Sequence, residues 1–256
     1  MSVLAKLNFP PIGELIDWKS FGPLGFNKTA LIDLIAMAGT LWLFFAAARK
    51  KSLIPRGVQN LAEFVIDFIT DQIIMQTIGP DGMVFLPFLT ALFCFIFIGN
   101  IFEIIPIFQF PANARMANPL LLALVVWVLF IYMGIKRQGF FGYIKSSLVP
   151  PGVPKALLIL VTPIEALSTF IVRPFSLAIR LFANMLAGHL LLVTFALLTD
   201  ALIFHNTIHI LAPVAILPAA MDVAMTGFEV LVAVLQAFIF TILTAVYLGL
   251  SMHPEH

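Results

Sequence analysis

Several ionisable side chains sit inside apolar sequence, where hydrocarbon would surround them if the chain crosses a membrane: Glu103, Glu165, Arg180, His189, Asp222 and Glu229. An ionised group at the centre of a bilayer costs about 3 kcal/mol by insertion scales, so such residues face protein or water and mark ion paths. The types are complementary. Arginine contributes a permanently charged fork of donors, histidine exchanges a proton near neutral pH, and carboxylates accept and release protons. The chemistry they could perform together is proton movement between side chains. Asp222, Glu229 and Gln236 are spaced by seven residues, which at about 100° per residue keeps them on one helical stripe. Ala233 and Ala237 lie near that stripe, and small residues let helices approach closely. On the preceding block Asn184 lies one turn from Arg180 and about 40° round, whereas His189 is nine residues on and about 180° round. On a straight helix Arg180 and His189 therefore address different surroundings.

Structural roles stand beside these functional ones. Arg180 could neutralise Glu229 or Asp222 in an ion pair, and His189 could be a packing histidine. Glu103 lies three residues before Pro106, where residence at a membrane interface would be ordinary. Glu165 follows Pro163, and a carboxylate in a first helical turn suits the helix dipole. Asn100 could bridge two helices. His205, His209, His253 and His256 fall in loops or the tail.

The elements that must position these groups read as membrane helices. Of 256 residues, 61% are hydrophobic and 11% charged, against about 25% charged in a soluble domain. The net charge of +1 says nothing about nucleic acid, but no basic cluster has interleaved aromatics, so no nucleic-acid partner is expected. The single Cys94, in "ALFCFIF", excludes an internal disulfide framework and reads as packing. No HExxH, GxSxG or phosphate-cradling glycine loop is present, so neither a metal nor a cofactor is expected. The first 28 residues carry acids and prolines and resemble neither a cleaved signal nor a transit peptide.

A first span covers 29–48, about the 20 residues that a hydrocarbon core of about 30 Å requires. In 58–76, Gln59, Glu63, Asp67 and Asp71 recur every four residues, with Leu61, Phe64, Val65, Phe68 and Ile69 opposite. That pattern predicts an amphipathic helix at the membrane surface, and its acidic face suits protein contact better than anionic lipid. "GPDG" ends it. A helix pair follows over 84–108 and 120–135, joined by "QFPANARMANP". The last two apolar blocks, 156–199 and 208–250, would each measure about 60 Å as a helix, about twice the hydrocarbon thickness. Each is either a pair of short spans or one long, steeply tilted helix. Segments 49–56 and 136–155 hold four Lys or Arg each, eight of the 14. By the positive-inside rule both are cytoplasmic, the N-terminus is outside, and the C-terminus is cytoplasmic if each long block crosses once. The whole is a single membrane domain.

At "RPFSLAIRLFANMLAGH", "LVAVLQAFIFTILTAVYL" and "GNIFEIIP" the chain resembles subunit a of the F-type ATP synthases, of the bacterial type. Order, spacing and length agree over nearly the whole chain. The resemblance implies an all-α polytopic fold whose two long blocks are tilted helices packed against a rotating c-ring. It implies a stator subunit of the membrane sector, with two offset half-channels that load and unload ring carboxylates so that proton flow drives rotation and ATP synthesis. Such a subunit binds no nucleotide and is no enzyme by itself. Implied partners are the c-ring subunits, peripheral-stalk subunit b, the F1 sector indirectly, and the lipid bilayer. The implied location is the bacterial plasma membrane rather than the mitochondrial inner membrane. Arg180 matches the family's ring-facing arginine, and Asn184 and Gln236 match polar residues close to it. His189 and Glu229 match the titratable pair of the outer half-channel, with Asn100 and Glu103 on the same path. Glu165 corresponds to an acid of the opposite half-channel, although its spacing to the "RP" pair is one residue longer than the family pattern. Asp222 has no counterpart and rests on the stripe alone. The alternative is a self-contained proton or cation channel or transporter, for which an internal repeat would be expected; none is visible.

Overall fold

The computed structural model describes residues 27–49, 56–105, 112–149, 154–203 and 214–252. Residues 1–26, 50–55, 106–111, 150–153, 204–213 and 253–256, and with them His205, His209, His253 and His256, lie outside the described residues. Every element described is helical.

Helix α1 (Lys28–Arg49) begins where Asn27 Oδ1 accepts the Ala30 N–H at 3.0 Å, an N-cap that satisfies one free donor of the first turn. Helix α2 (Val58–Ile69) runs on through a π-turn, Thr70–Ile74, and a last turn, Met75–Thr77. Its polar stripe is real: Gln59 Nε2 donates to Glu63 Oε1 at 2.8 Å, and Asp67 and Asp71 are exposed. The apolar side is divided. Ile69, Ile73 and Ile74 are buried in the core, while Leu61 and Phe64 remain exposed. A 3-10 turn, Pro80–Phe85, leads into α3 (Leu86–Ile101). After a 3-10 turn at Ala112–Ala114, α4 (Ala117–Gln138) returns, and Gly139 at φ 76° turns the chain into the short α5 (Phe140–Leu148). Arg137 near the end of α4 pairs with Asp81 at 3.5 Å, tying that end to the turn before α3.

Each of the two long blocks is one uninterrupted helical run in its described part. Helix α6 (Lys155–Leu167) passes through a π-turn, Ser168–Val172, directly into α7 (Arg173–Ile203). Pro174 accounts for the π-turn. A proline within a helix cannot donate and its ring collides with the carbonyl four residues back. Just before it, the Arg173 N–H bonds the Ser168 carbonyl, five residues back, which loosens that turn. Helix α8 (Ile216–Met252) has 37 residues, about 56 Å at 1.5 Å per residue. A 47-residue run and a 37-residue run both exceed a core of about 30 Å, so as single crossings they must lie obliquely. Because α6 begins at Lys155, Glu165 stands in its third turn and not in a first turn; the dipole reason for its placement fails.

The core joins α3, α4, α7, α8 and the end of α2, with Leu89, Cys94, Ile96, Phe130, Leu181 and Phe240 among its buried side chains. A separate small cluster of Ile32, Phe102 and Ala112 ties α1 to the end of α3 and the 112–114 turn. The inner face of α8 reads Ala233, Ala237, Thr241, Thr244, Ala245 and Gly249, all buried, and these small residues permit the close approach of α7, α3 and α4. Among the described residues, five helical stretches are long and apolar enough to cross a membrane. The fold is that of an all-α polytopic membrane protein.

The α4–α5 corner depends on one missing side chain: a Cβ at Gly134 would overlap the ring of Tyr143, which is buried. Overpacking of this kind costs about 1–3 kcal/mol. Gly134→Ala should therefore lower the melting temperature of the detergent-solubilised protein, as followed by circular dichroism.

Candidate functional site: two faces of one helix

Helix α7 separates its polar residues by face. Pro174, Leu177, Ala178, Leu181, Met185, Gly188 and His189 are buried and form one stripe at helical spacing. Ile179, Arg180, Ala183, Asn184, Ala187 and Leu191 are exposed and form the opposite one. Arg180 is thus presented outward from the fold, with Asn184 one turn along the same face. Among the described residues no carboxylate pairs with Arg180, so an ion pair with Glu229 or Asp222 does not account for it.

On the inner face the chain gathers a buried acid–imidazole cluster. Glu229 of α8 is 2% exposed, Glu103 beyond the end of α3 is 3% exposed, and His189 is 7% exposed. His189 Nδ1 lies 3.8 Å from Glu103 Oε1. The Glu229 carboxylate lies against Gly188, at which any Cβ would overlap it. Asn100 is one turn before Glu103, whose N–H bonds the Asn100 carbonyl at 3.1 Å. Asn113 Nδ2, from the 112–114 turn, donates to Asn100 Oδ1 at 2.7 Å. Four elements therefore meet at one place. Glu103 is not at an interface, as its position before Pro106 allowed, but deep in the fold.

The cluster is incompletely paired. Asn100 Nδ2, Asn113 Oδ1, Glu103 Oε1 and Glu229 Oε2 are buried without a hydrogen-bond partner among the described residues. An unpaired buried polar atom costs about 1–3 kcal/mol. Two of these atoms are on carboxyl groups and two on amides, so the cluster has hydrogen-bonding capacity that the described residues do not fill.

Other expected residues lie apart. Glu165, half-buried, is 15 residues before Arg180, about 22 Å along the helix. Asp222 is two turns from Glu229 and half-buried. Gln236 is buried two turns from Glu229 in the other direction, beside Ala237. No hydrogen bond among the described residues joins Gln236 to Arg180. Sequence reading missed Gly188 and Asn113. An "AGH" step before a candidate histidine was a usable signal for the first, while Asn113 lay in what reads as a plain loop.

These features define a class: a polytopic helical membrane protein with a bare arginine on one face of a long helix and a buried titratable cluster on the other. A family profile described as ATP synthase A chain matches residues 30–249. The protein named ATP synthase subunit a from Frankia alni is 45% identical over 235 residues, 91% of this chain and 80% of that one. Those of Rhodococcus erythropolis, 43% identical over 91% of this chain and 85% of the relative, and Maricaulis maris, 36% identical over 96% of each, bear the same name. The chain belongs to the ATP synthase subunit a family, and is a membrane-embedded, multi-pass component of the proton-translocating membrane sector of an F-type ATP synthase.

Gly188→Ala would push the Glu229 carboxylate from its place at an overpacking cost of about 1–3 kcal/mol. It should slow ATP-driven proton pumping in vesicles carrying the assembled complex, read by quenching of a pH-sensitive dye. Pumping at the unmodified rate would show that the position of Glu229 is unimportant.

Proposed function

We propose that this chain is the stator of a rotary proton motor, providing two offset half-channels to a ring of carboxylate-bearing subunits. The observation that carries this is the opposition on α7: Arg180 exposed on one face, His189 buried against Glu103 on the other. The exposed face of α7 that carries Arg180, with Phe175 and Ile179 on it, is where the ring docks. Glu103, His189 and Glu229 form the outer half-channel, handing protons inward through water served by Asn100. Asp222 lies on the same path. Glu165 belongs to the half-channel that opens to the cytoplasm, and Asn184 and Gln236 assist near Arg180. The N-terminus is outside and the C-terminus cytoplasmic. Peripheral-stalk subunit b holds the stator, through which the F1 sector is reached indirectly.

The mechanism follows from charge. A ring carboxylate facing lipid is stable only when it holds a proton. Against Arg180, at about 4 Å and an effective dielectric of about 20, the attraction is about 4 kcal/mol, enough to favour the ionised form and release the proton. The same fixed charge repels protons that would pass straight between the half-channels, so protons must travel with the ring. A self-contained channel would need a continuous path through the chain; the separation of the two α7 faces favours the rotary reading.

Arg180→Lys keeps the charge but loses the planar fork, and a buried lysine gives up its proton more readily. It should abolish ATP-coupled proton pumping, and coupled pumping near the unmodified level would overturn the barrier role. If Glu229 and His189 act as one relay, His189→Glu combined with Glu229→His should restore more pumping than either exchange alone. Losses that merely add in the double variant would show the two sites to be uncoupled.

A further inference from the structure

A second polar contact lies beyond the acid–imidazole cluster. Asp33, half-buried near the start of α1, is held by Asn118 of α4, whose Nδ2 donates to Asp33 Oδ1 at 2.8 Å and to Oδ2 at 2.7 Å. The same Nδ2 lies 3.5 Å from the Ala112 carbonyl. Ala112 opens the 3-10 turn whose next residue, Asn113, bonds Asn100 at 2.7 Å, one turn from Glu103. Polar contacts thus step from the first helix toward the buried carboxylates: Asp33 to Asn118, Asn118 to the Ala112 carbonyl, and Asn113 of the same turn to Asn100, one turn before Glu103. An acid in an apolar helix, fixed by one amide and connected in this way, has the placement of a group that collects protons.

We propose that Asp33 is the proton-collecting carboxylate at the mouth of the outer half-channel, and that Asn118 is its positioning residue. This deepens the stator reading and rests on it. The Asp33 carboxylate takes a proton from outside water to become the neutral acid. It passes that proton to water lying along the Asn113 and Asn100 amides, and returns to the carboxylate. The water delivers the proton to Glu103. No group is consumed, and the amides orient the exchange without being protonated. The first helix is then part of the conducting path as well as of the scaffold.

A purely structural role for Asp33 makes a different prediction. Asparagine at 33 keeps an oxygen that can accept from Asn118, so Asp33→Asn would preserve the helix contact while removing the exchangeable proton. The test measures passive proton conduction through the complex in vesicles stripped of the F1 sector, for Asp33→Asn, Asp33→Glu and Glu229→Gln. A proton-transferring side chain contributes up to about 10²–10⁴-fold, and at a mouth that water can partly bypass we expect a loss of about three- to tenfold for Asp33→Asn. Asp33→Glu should recover most of it, with both variants melting at the unmodified temperature. Conduction unchanged in Asp33→Asn but lost in Glu229→Gln would overturn the role of Asp33 alone. Conduction unchanged in Glu229→Gln would overturn the half-channel reading beneath it. Equal losses in Asp33→Asn and Asp33→Glu would also overturn the proposal. Should Asp33→Asn fail to assemble, Asp33→Cys in a Cys94→Ala background decides the matter. A membrane-impermeant methanethiosulfonate added outside should label position 33 and block conduction, and failure to label from that side would refute it.

Discussion

The scarcity of places for charge governs this molecule. In hydrocarbon, backbone groups must be satisfied within their own segment, which permits only helices and closed barrels. An ionisable side chain there needs water or protein around it. A chain with so few charged residues that still carries acids, an imidazole and a guanidinium at membrane depth must therefore sort them between faces. The inner faces of α7 and α8 take the titratable groups. The outer face of α7 keeps the fixed cation, Arg180. Close packing of α8 through its alanines and threonines gives the inner face little slack, so the carboxylate of Glu229 finds room only because residue 188 has no side chain.

The sequence made some of this legible and concealed the rest, and the division is physical. Rotation per residue is fixed in a helix, so the opposition of Arg180 and His189 and the stripe of Asp222, Glu229 and Gln236, with Ala233 and Ala237 near it, follow from counting, although Asp222 is only half-buried. The helical spans were likewise visible, since an apolar run of 20 residues or more can satisfy its backbone in hydrocarbon only as a helix. What counting cannot supply is the meeting of distant segments. Glu103 and His189 approach across most of the fold, and Asn118 reaches Asp33 over 85 residues of sequence. Asp33 itself was a visible signal, an acid within an apolar run, yet nothing local distinguishes it from a residue near a helix end. Asn113 was harder still. The 3-10 turn that aims it is only three residues long, and short turns have no periodicity to detect.

The two residues that decide the polar geometry from outside the cluster are both passive. Gly188 admits a carboxylate by lacking a Cβ, and Asn118 fixes one by donating twice from a single nitrogen. Neither exchanges protons. Their effect is to narrow where the carboxylates of Glu229 and Asp33 can sit.

The π-turn at Ser168–Val172 has one more consequence, which concerns angular phase. It lies between Glu165 and the Arg173–Pro174 pair. An extra residue accommodated in regular α-helix would turn everything before it by about 100° relative to everything after. A turn closed five residues back instead of four takes up that residue in a single widened loop of backbone. Glu165 and Arg180 therefore keep the bearing to one another that regular α-helix would give them with one residue fewer between them. A crankshaft lengthened by a washer keeps its timing in the same way: the insertion alters the reach of the part and leaves its angle alone.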